Sequence, residues 1–160
     1  MAGKGKRPLS KEDILEKIRY YCAYQERSRL QVLRKLKSLG CPEDEFPALL
    51  DMLAEGNYLN EARFVSQYVR SRASAKGWGP AKIALALKRE TGGNYRDEVR
   101  QDEESNIRAL EKLRKDLSKK REELERKKDP KLREKLIRFC LSRGFALEDA
   151  LGIVEKLFIH

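Results

Sequence analysis

Residues 29–53 read RLQVLRKLKSLGCPEDEFPALLDML, two amphipathic helices with a turn between them. In the first, Leu33 and Leu36 recur at helical spacing, and Gly40 supplies the stop, because glycine adopts the left-handed backbone that closes a helix at no steric cost. Pro42 opens the second helix, and Glu43, Asp44 and Glu45 fill its first turn, where carboxylates meet the positive end of the helix dipole. Phe46, Leu49, Leu50 and Leu53 follow at i, i+3, i+4 and i+7, one apolar face. Gly56 and Asn57 end it.

Upstream, Ser10 is a good N-cap with Asp13 three residues on, and Glu12 lies near the dipole. Ile14, Leu15, Ile18, Tyr21 and Cys22 then make one apolar face, which completes a three-helix unit. The end of the chain repeats this grammar. Subtracting 104 carries Gly144, Glu148 and Asp149 onto Gly40, Asp44 and Glu45. The same offset carries Ala150, Ile153, Val154 and Leu157 onto Phe46, Leu49, Leu50 and Leu53, and Ile137 and Cys140 onto Leu33 and Leu36. Half of it, 52, carries Leu85 onto Leu33 and Gly92 onto Gly40, with Leu87 one place out of register and an insertion expected at Gly92-Gly93. A period near 50 residues is the mark of tandem helical units, although two unrelated amphipathic helices flanking a glycine align in a similar way.

Between the middle and last copies, Asn106 to Lys128 reads as a long charged helix. Leu110, Leu113, Leu117 and Leu124 give it a narrow stripe, and Glu111–Lys115 and Glu122–Arg126 are its expected i, i+4 pairs. So sparse a stripe fits a solvated helix packed along one edge better than a dimeric coiled coil. Asp129 and Pro130 stop it and start the next helix. The expected architecture is all-α: a disordered basic tail over 1–10, then three-helix repeats over 11–59, 60–104 and 105–160, the last with the long charged helix first. Charged residues make up 39% of the 160, well above the roughly 25% of ordinary soluble domains, which points to an elongated molecule with much surface per residue.

No nucleophile motif, phosphate-binding loop or metal-ligand cluster is present, and the single histidine is the C-terminal residue, so the sequence does not read as an enzyme and implies no cofactor. Cys22, Cys41 and Cys140 form no CxxC pair and fit a reduced, cytoplasmic compartment; Cys22 and Cys140 fall on apolar faces, as core residues do. No apolar stretch is long enough to span a membrane.

The charge pattern says more. Lys and Arg number 36 against 26 Asp and Glu, a formal charge of +10, which calls for an acidic partner. From Ala62 to Arg89 there is no acid, while Arg63, Arg70, Arg72, Lys76, Lys82, Lys88 and Arg89 supply seven positive charges. Arg63 and Arg70 share one face, opposite Phe64, Val65, Tyr68 and Val69; Lys82 and Arg89 share another. A second acid-free run, Arg27 to Pro42, holds Arg27, Arg29, Arg34, Lys35 and Lys37. Trp78, in Lys76-Gly77-Trp78-Gly79-Pro80, is either an anchoring residue at an interface or a plug between helical units.

Tyr58-Leu59-Asn60-Glu61-Ala62-Arg63-Phe64-Val65-Ser66-Gln67-Tyr68-Val69-Arg70-Ser71-Arg72 resembles the most recognisable segment of the RecX family of bacterial regulators. Gly77-Trp78-Gly79-Pro80 and the helix through Leu87 resemble its glycine-proline turn. Gln25-Glu26-Arg27-Ser28-Arg29 is similar to its first-unit motif, with Arg27 where a histidine is common, and Lys135 to Leu157 to its last unit. The resemblance implies tandem three-helix repeats in a curved, elongated molecule. It also implies a regulator that binds the RecA filament and inhibits strand exchange and co-protease activity, in DNA repair and the SOS response. On this reading Arg27, Arg29, Arg63, Arg70, Arg72, Lys76, Trp78, Lys82, Lys88 and Arg89 meet the partner, with single- or double-stranded DNA as a further ligand and the protein a monomer. The alternative from the residues alone is a stand-alone helix-turn-helix DNA-binding protein; a weaker one is a structural adaptor.

Overall fold

The computed structural model describes residues 7–159, so the expected tail lies, over 1–6, outside the described residues, as does His160. Among the described residues every regular element is helical. The order is α1 (Lys11–Tyr24), α2 (Arg29–Ser38), a 3-10 turn (Glu43–Glu45), α3 (Phe46–Glu55), α4 (Glu61–Lys76), α5 (Pro80–Thr91), α6 (Arg96–Gln101), α7 (Glu103–Arg126), α8 (Leu132–Ser142) and α9 (Leu147–Leu157). They form two compact units: residues up to 67 with 90–92, and 68–89 with 93–160.

In the first unit α1 starts on a reciprocal cap. Ser10 Oγ accepts from the Asp13 amide at 3.1 Å and the Asp13 carboxylate accepts from the Ser10 amide at 3.4 Å. Ile14, Ile18 and Cys22 then meet Val32 and Leu36 of α2 and Leu50 and Leu53 of α3 in one core. The expected start of α3 at Pro42 is instead the 3-10 turn, closed by Glu45 N–H to the Pro42 carbonyl at 3.0 Å. Pro47 is the cause: in the first turn of α3 it has no amide to give, so the α-helical ladder cannot run through it and the chain tightens before it.

The second unit contains α6 to α9 whole. Its core takes Leu113, Leu117 and Leu124 from α7, Leu136 and Cys140 from α8, and Ala150 and Val154 from α9. The stripe on α7 is therefore a core face. The ion pairs along α7 are Glu104–Arg108, Lys112–Asp116, Lys120–Glu123, Arg121–Glu125 and Glu123–Lys127. Glu111–Lys115 and Glu122–Arg126 are not among those formed, since exposed pairs of long side chains gain too little to dictate their partners.

The repeat is visible in the backbone. Gly40, Gly92 and Gly144 all adopt left-handed φ, at 78°, 77° and 91°, at the ends of α2, α5 and α8. Cys41 N–H returns to the Leu36 carbonyl at 3.1 Å and Phe145 N–H to the Cys140 carbonyl at 3.3 Å, the same closure one offset apart. Buried Val32 and Leu36 correspond to buried Leu136 and Cys140. In the middle copy the expected register fails: Leu85 is 56% exposed, and Ile83 and Leu87 hold the core positions. The helix keeps its i, i+4 core pair and slips by one residue relative to its glycine, so Leu87, one place out of register, takes the position of Leu36 and Leu85 does not take that of Leu33.

Candidate functional site

In the first unit the turn between α1 and α2 is built around Ser28, which is wholly buried. Ser28 Oγ accepts from the Gln31 amide at 3.1 Å and donates to the Glu90 carbonyl at 2.6 Å, while Gln31 Nε2 donates to Glu90 Oε2 at 2.8 Å. The N-terminus of α2 thus holds Glu90 within the same unit. Arg29 gives its amide to Glu61 Oε1 at 3.2 Å and stays exposed. Arg27 is half-buried. Its Nε donates to the Tyr21 carbonyl at 3.0 Å, and its guanidinium lies 3.7 Å from the centre of the Tyr21 ring.

Arg63 is placed differently from the expectation that it shares an exposed ridge with Arg70. Its Nε donates to Glu26 Oε1 at 2.9 Å, Nη1 to Asn57 Oδ1 at 2.6 Å and Nη2 to the Asn57 carbonyl at 2.9 Å. Asn57 stands at φ 62°, so Arg63 clamps the left-handed turn after α3 and ties it to the end of α1. The other Glu26 oxygen is buried without a partner, which leaves Arg63 to hold that charge. The stretch from Ala62 is acid-free in sequence; in space Glu26, 37 residues earlier, supplies the counter-charge.

In the second unit the Gly77-Trp78-Gly79-Pro80 turn meets the α8–α9 turn backbone to backbone. Gly79 N–H donates to the Arg143 carbonyl at 2.6 Å. A Cβ on Gly79 would stand 2.6 Å from the Gly144 oxygen, and one on Gly144 2.3 Å from Lys82 Cβ, so both must be glycine. Arg143 donates to the Lys76 carbonyl and, at 3.0 Å, to Asp116 Oδ2, whose Oδ1 lies 3.2 Å from Lys112 Nζ. Burial pushes the Asp116 carboxyl up, but the hydrogen bonds and charges of Lys112 and Arg143 outweigh it and hold the group below its ordinary range.

Trp78 is half-buried inside a cage of cations. Lys82 Nζ is 4.6 Å from the ring, the Arg72 guanidinium 5.6 Å and Lys76 Nζ 5.7 Å. Arg72 also lies 4.6 Å over Tyr68, and its buried Nε has no acceptor, so aromatic faces hold this side chain. Lys82 Nζ donates to the Ser142 carbonyl at 2.9 Å and brings positive charge to the C-terminus of α8, whose last turn has none of its own. Arg72 and Lys82 are thereby engaged within the fold, Arg72 on two aromatic faces and Lys82 at the end of α8.

Arg70, Lys88 and Arg89 are exposed and form no ion pair among the described residues. Lys88 also lines a cavity of about 620 Å³ together with Leu85, Phe145 and, from α6, Arg96 and Arg100. Sequence reasoning passed over those two arginines because Glu90, Asp97 and Glu98 break the positive run. The signal was their i, i+4 spacing. It also passed over Tyr20 and Tyr24, whose i, i+4 spacing falls off the apolar face of α1.

Burial raises the thiols of Cys22 and Cys140 to about 11 and also raises that of Cys41, which makes them core side chains and poor nucleophiles at neutral pH. Among the described residues no cluster of three or more His, Cys, Asp or Glu could hold a metal ion, and no helix is long and apolar enough to cross a membrane.

A sequence model of the RecX second three-helix domain matches residues 60–90, the stretch containing Arg63, Trp78 and Arg89. The regulatory protein RecX of Pseudomonas entomophila is 34% identical over 130 residues, covering 79% of this chain and 79% of that protein. The regulatory protein RecX of Pseudomonas putida is 33% identical over 127 residues, again 79% of each. The crystal structure of RecX from Lactobacillus salivarius superposes with a TM-score of 0.74 at 23% identity, over 91% of this chain and 97% of that one, a likeness of fold. With this identity across four-fifths of its length, and a middle segment whose glycine turn and cation cage fall inside the matched domain, the chain belongs to the RecX family of regulatory proteins.

Proposed function

We propose that the protein binds the RecA nucleoprotein filament and inhibits strand exchange and co-protease activity, acting as a cytoplasmic monomer in DNA repair and the SOS response without catalysis of its own. On this reading the chain comprises three three-helix repeats, 11–59, 60–104 and 105–160. The observation that carries the proposal is the exposure of Arg70, Lys88 and Arg89, in a stretch where Arg63, Arg72 and Lys82 are engaged in contacts within the chain, on a member of a family of regulators. Guanidinium groups pair bidentately with carboxylates or phosphates, so these side chains suit acidic protein surface and DNA alike. Arg29 and Lys76 are exposed as well and extend the contact. Arg27, Arg63, Arg72, Trp78 and Lys82 shape and support the elements that carry it.

The test is to titrate the protein into RecA-coated single-stranded DNA and follow ATP hydrolysis and strand exchange. Arg70→Ala, Lys88→Ala and Arg89→Ala combined should weaken inhibition about tenfold, as three exposed charge contacts of roughly 0.5 kcal/mol each would, with helicity unchanged by circular dichroism. Full inhibition by the triple variant would show that another surface docks. A parallel titration of naked duplex DNA reads the salt slope, about −0.9 per phosphate neutralised. Sequence-specific duplex binding without any effect on RecA would establish the stand-alone DNA-binding reading.

A further inference from the structure

We propose that the first unit carries a stacking platform for single-stranded nucleic acid, made by Tyr20 and Tyr24 of α1 and the groove beside them. The core face of α1 is Ile14, Ile18 and Cys22, and Tyr20 lies on the opposite side of the helix, with Tyr24 one turn further. Both residues are 71% exposed, a large apolar area to leave in water. They stack on each other, centroids 6.3 Å apart and planes inclined by 30°, so they present one continuous aromatic face.

That face borders a groove of about 590 Å³ whose other lining includes Tyr21, Lys17, Arg27 and Lys35. Arg27 and Lys35 belong to the acid-free run from Arg27 to Pro42, so the α2 wall of the groove is positive. Arg27 spends only its Nε and its flat face on Tyr21; its two terminal amino groups make no hydrogen bond among the described residues. Lys35 Nζ sits 5.5 Å from the same ring. Two carboxylates also line the groove, Asp13 and Glu16, but they lie nearer the start of α1 than the tyrosines, and Asp13 accepts from the Ser10 amide.

Exposed aromatic rings beside unpaired cations are what a single strand needs. Bases stack on the rings whatever their sequence, and phosphates meet the cations. A duplex hides its base faces and gains nothing from the tyrosines. An acidic protein segment would use the cations but would not need two stacked rings. The platform does not depend on binding to the recombinase.

The test uses the full-length protein without RecA. Fluorescence anisotropy would compare a labelled oligothymidylate, the matching oligouridylate, and a base-free deoxyribose-phosphate oligomer of the same length. The protein should bind one or both base-bearing strands at least fivefold more tightly than the base-free strand, as expected from stacking of one base. Tyr20→Ala with Tyr24→Ala should abolish that preference and leave base-free binding unchanged. Tyr20→Phe with Tyr24→Phe should keep it, and Lys35→Gln should flatten the salt slope by about 0.7. Both tyrosines are exposed, so the variants fold, with circular dichroism as the check. Equal affinity for base-bearing and base-free strands, or a preference that survives the double alanine change, would overturn the platform.

Discussion

At the scale of single residues, the closest constraint in the second unit is Gly144. An alanine there would place its Cβ 2.3 Å from Lys82 Cβ and 2.7 Å from the Lys82 amide, with φ held at 91°. Left-handed strain of about 1–2 kcal/mol adds to overpacking of about 1–3 kcal/mol, so Gly144→Ala should cost about 2–5 kcal/mol. Gly40 has the same backbone sign but nothing within 4 Å, so Gly40→Ala should cost only the strain, about 1–2 kcal/mol. Urea unfolding of the two variants checks the difference; equal losses would mean that Lys82 yields freely. The sequence announces both glycines as helix stops, but it is silent on which has another backbone against it. Arg63 teaches the same lesson for charge. Its positive neighbours in sequence invite a partner, while its actual acceptors, Glu26 and Asn57, come from other elements and leave no local pattern.

At the scale of the element, periodicity located the helices and the faces of α1, α3, α7 and α9, because core positions at i, i+3 and i+4 must recur for a helix to bury one side. It failed on α5, where Leu85 and Leu87 are both leucines in a run of alanines and only packing distinguishes them. The consequence is measurable. Leu87→Ala, at 0% exposure, should cost about 2–5 kcal/mol, and Leu85→Ala, at 56%, within about 0.5 kcal/mol. Thermal melts followed by circular dichroism would separate them, and comparable losses would mean that Leu85 is also packed. The tyrosine pair on α1 was missed for a related reason: residues off the apolar face read as solvated surface unless their spacing is inspected for its own sake.

At the scale of the whole molecule, the cysteines report on both units, since Cys22 and Cys41 lie in the first and Cys140 in the second. Burial raises all three thiols, and a raised pKa means that the folded state keeps its proton longer than the unfolded chain does. That contribution to stability is intact below the unfolded value of 9.0 and is lost as pH climbs toward about 11. Disulfide-reagent labelling at neutral pH should therefore wait on unfolding, with Cys140 tracking one unit and the other two thiols tracking the other; rapid labelling of the native protein would contradict that burial. Ser28, fully enclosed, also carries a temporal consequence. Its hydroxyl proton goes to the carbonyl of Glu90, a residue translated 62 positions later. A nascent chain that has emerged only as far as α4 lacks that acceptor, so the N-terminal bundle can be finished only after the ribosome has delivered the end of α5.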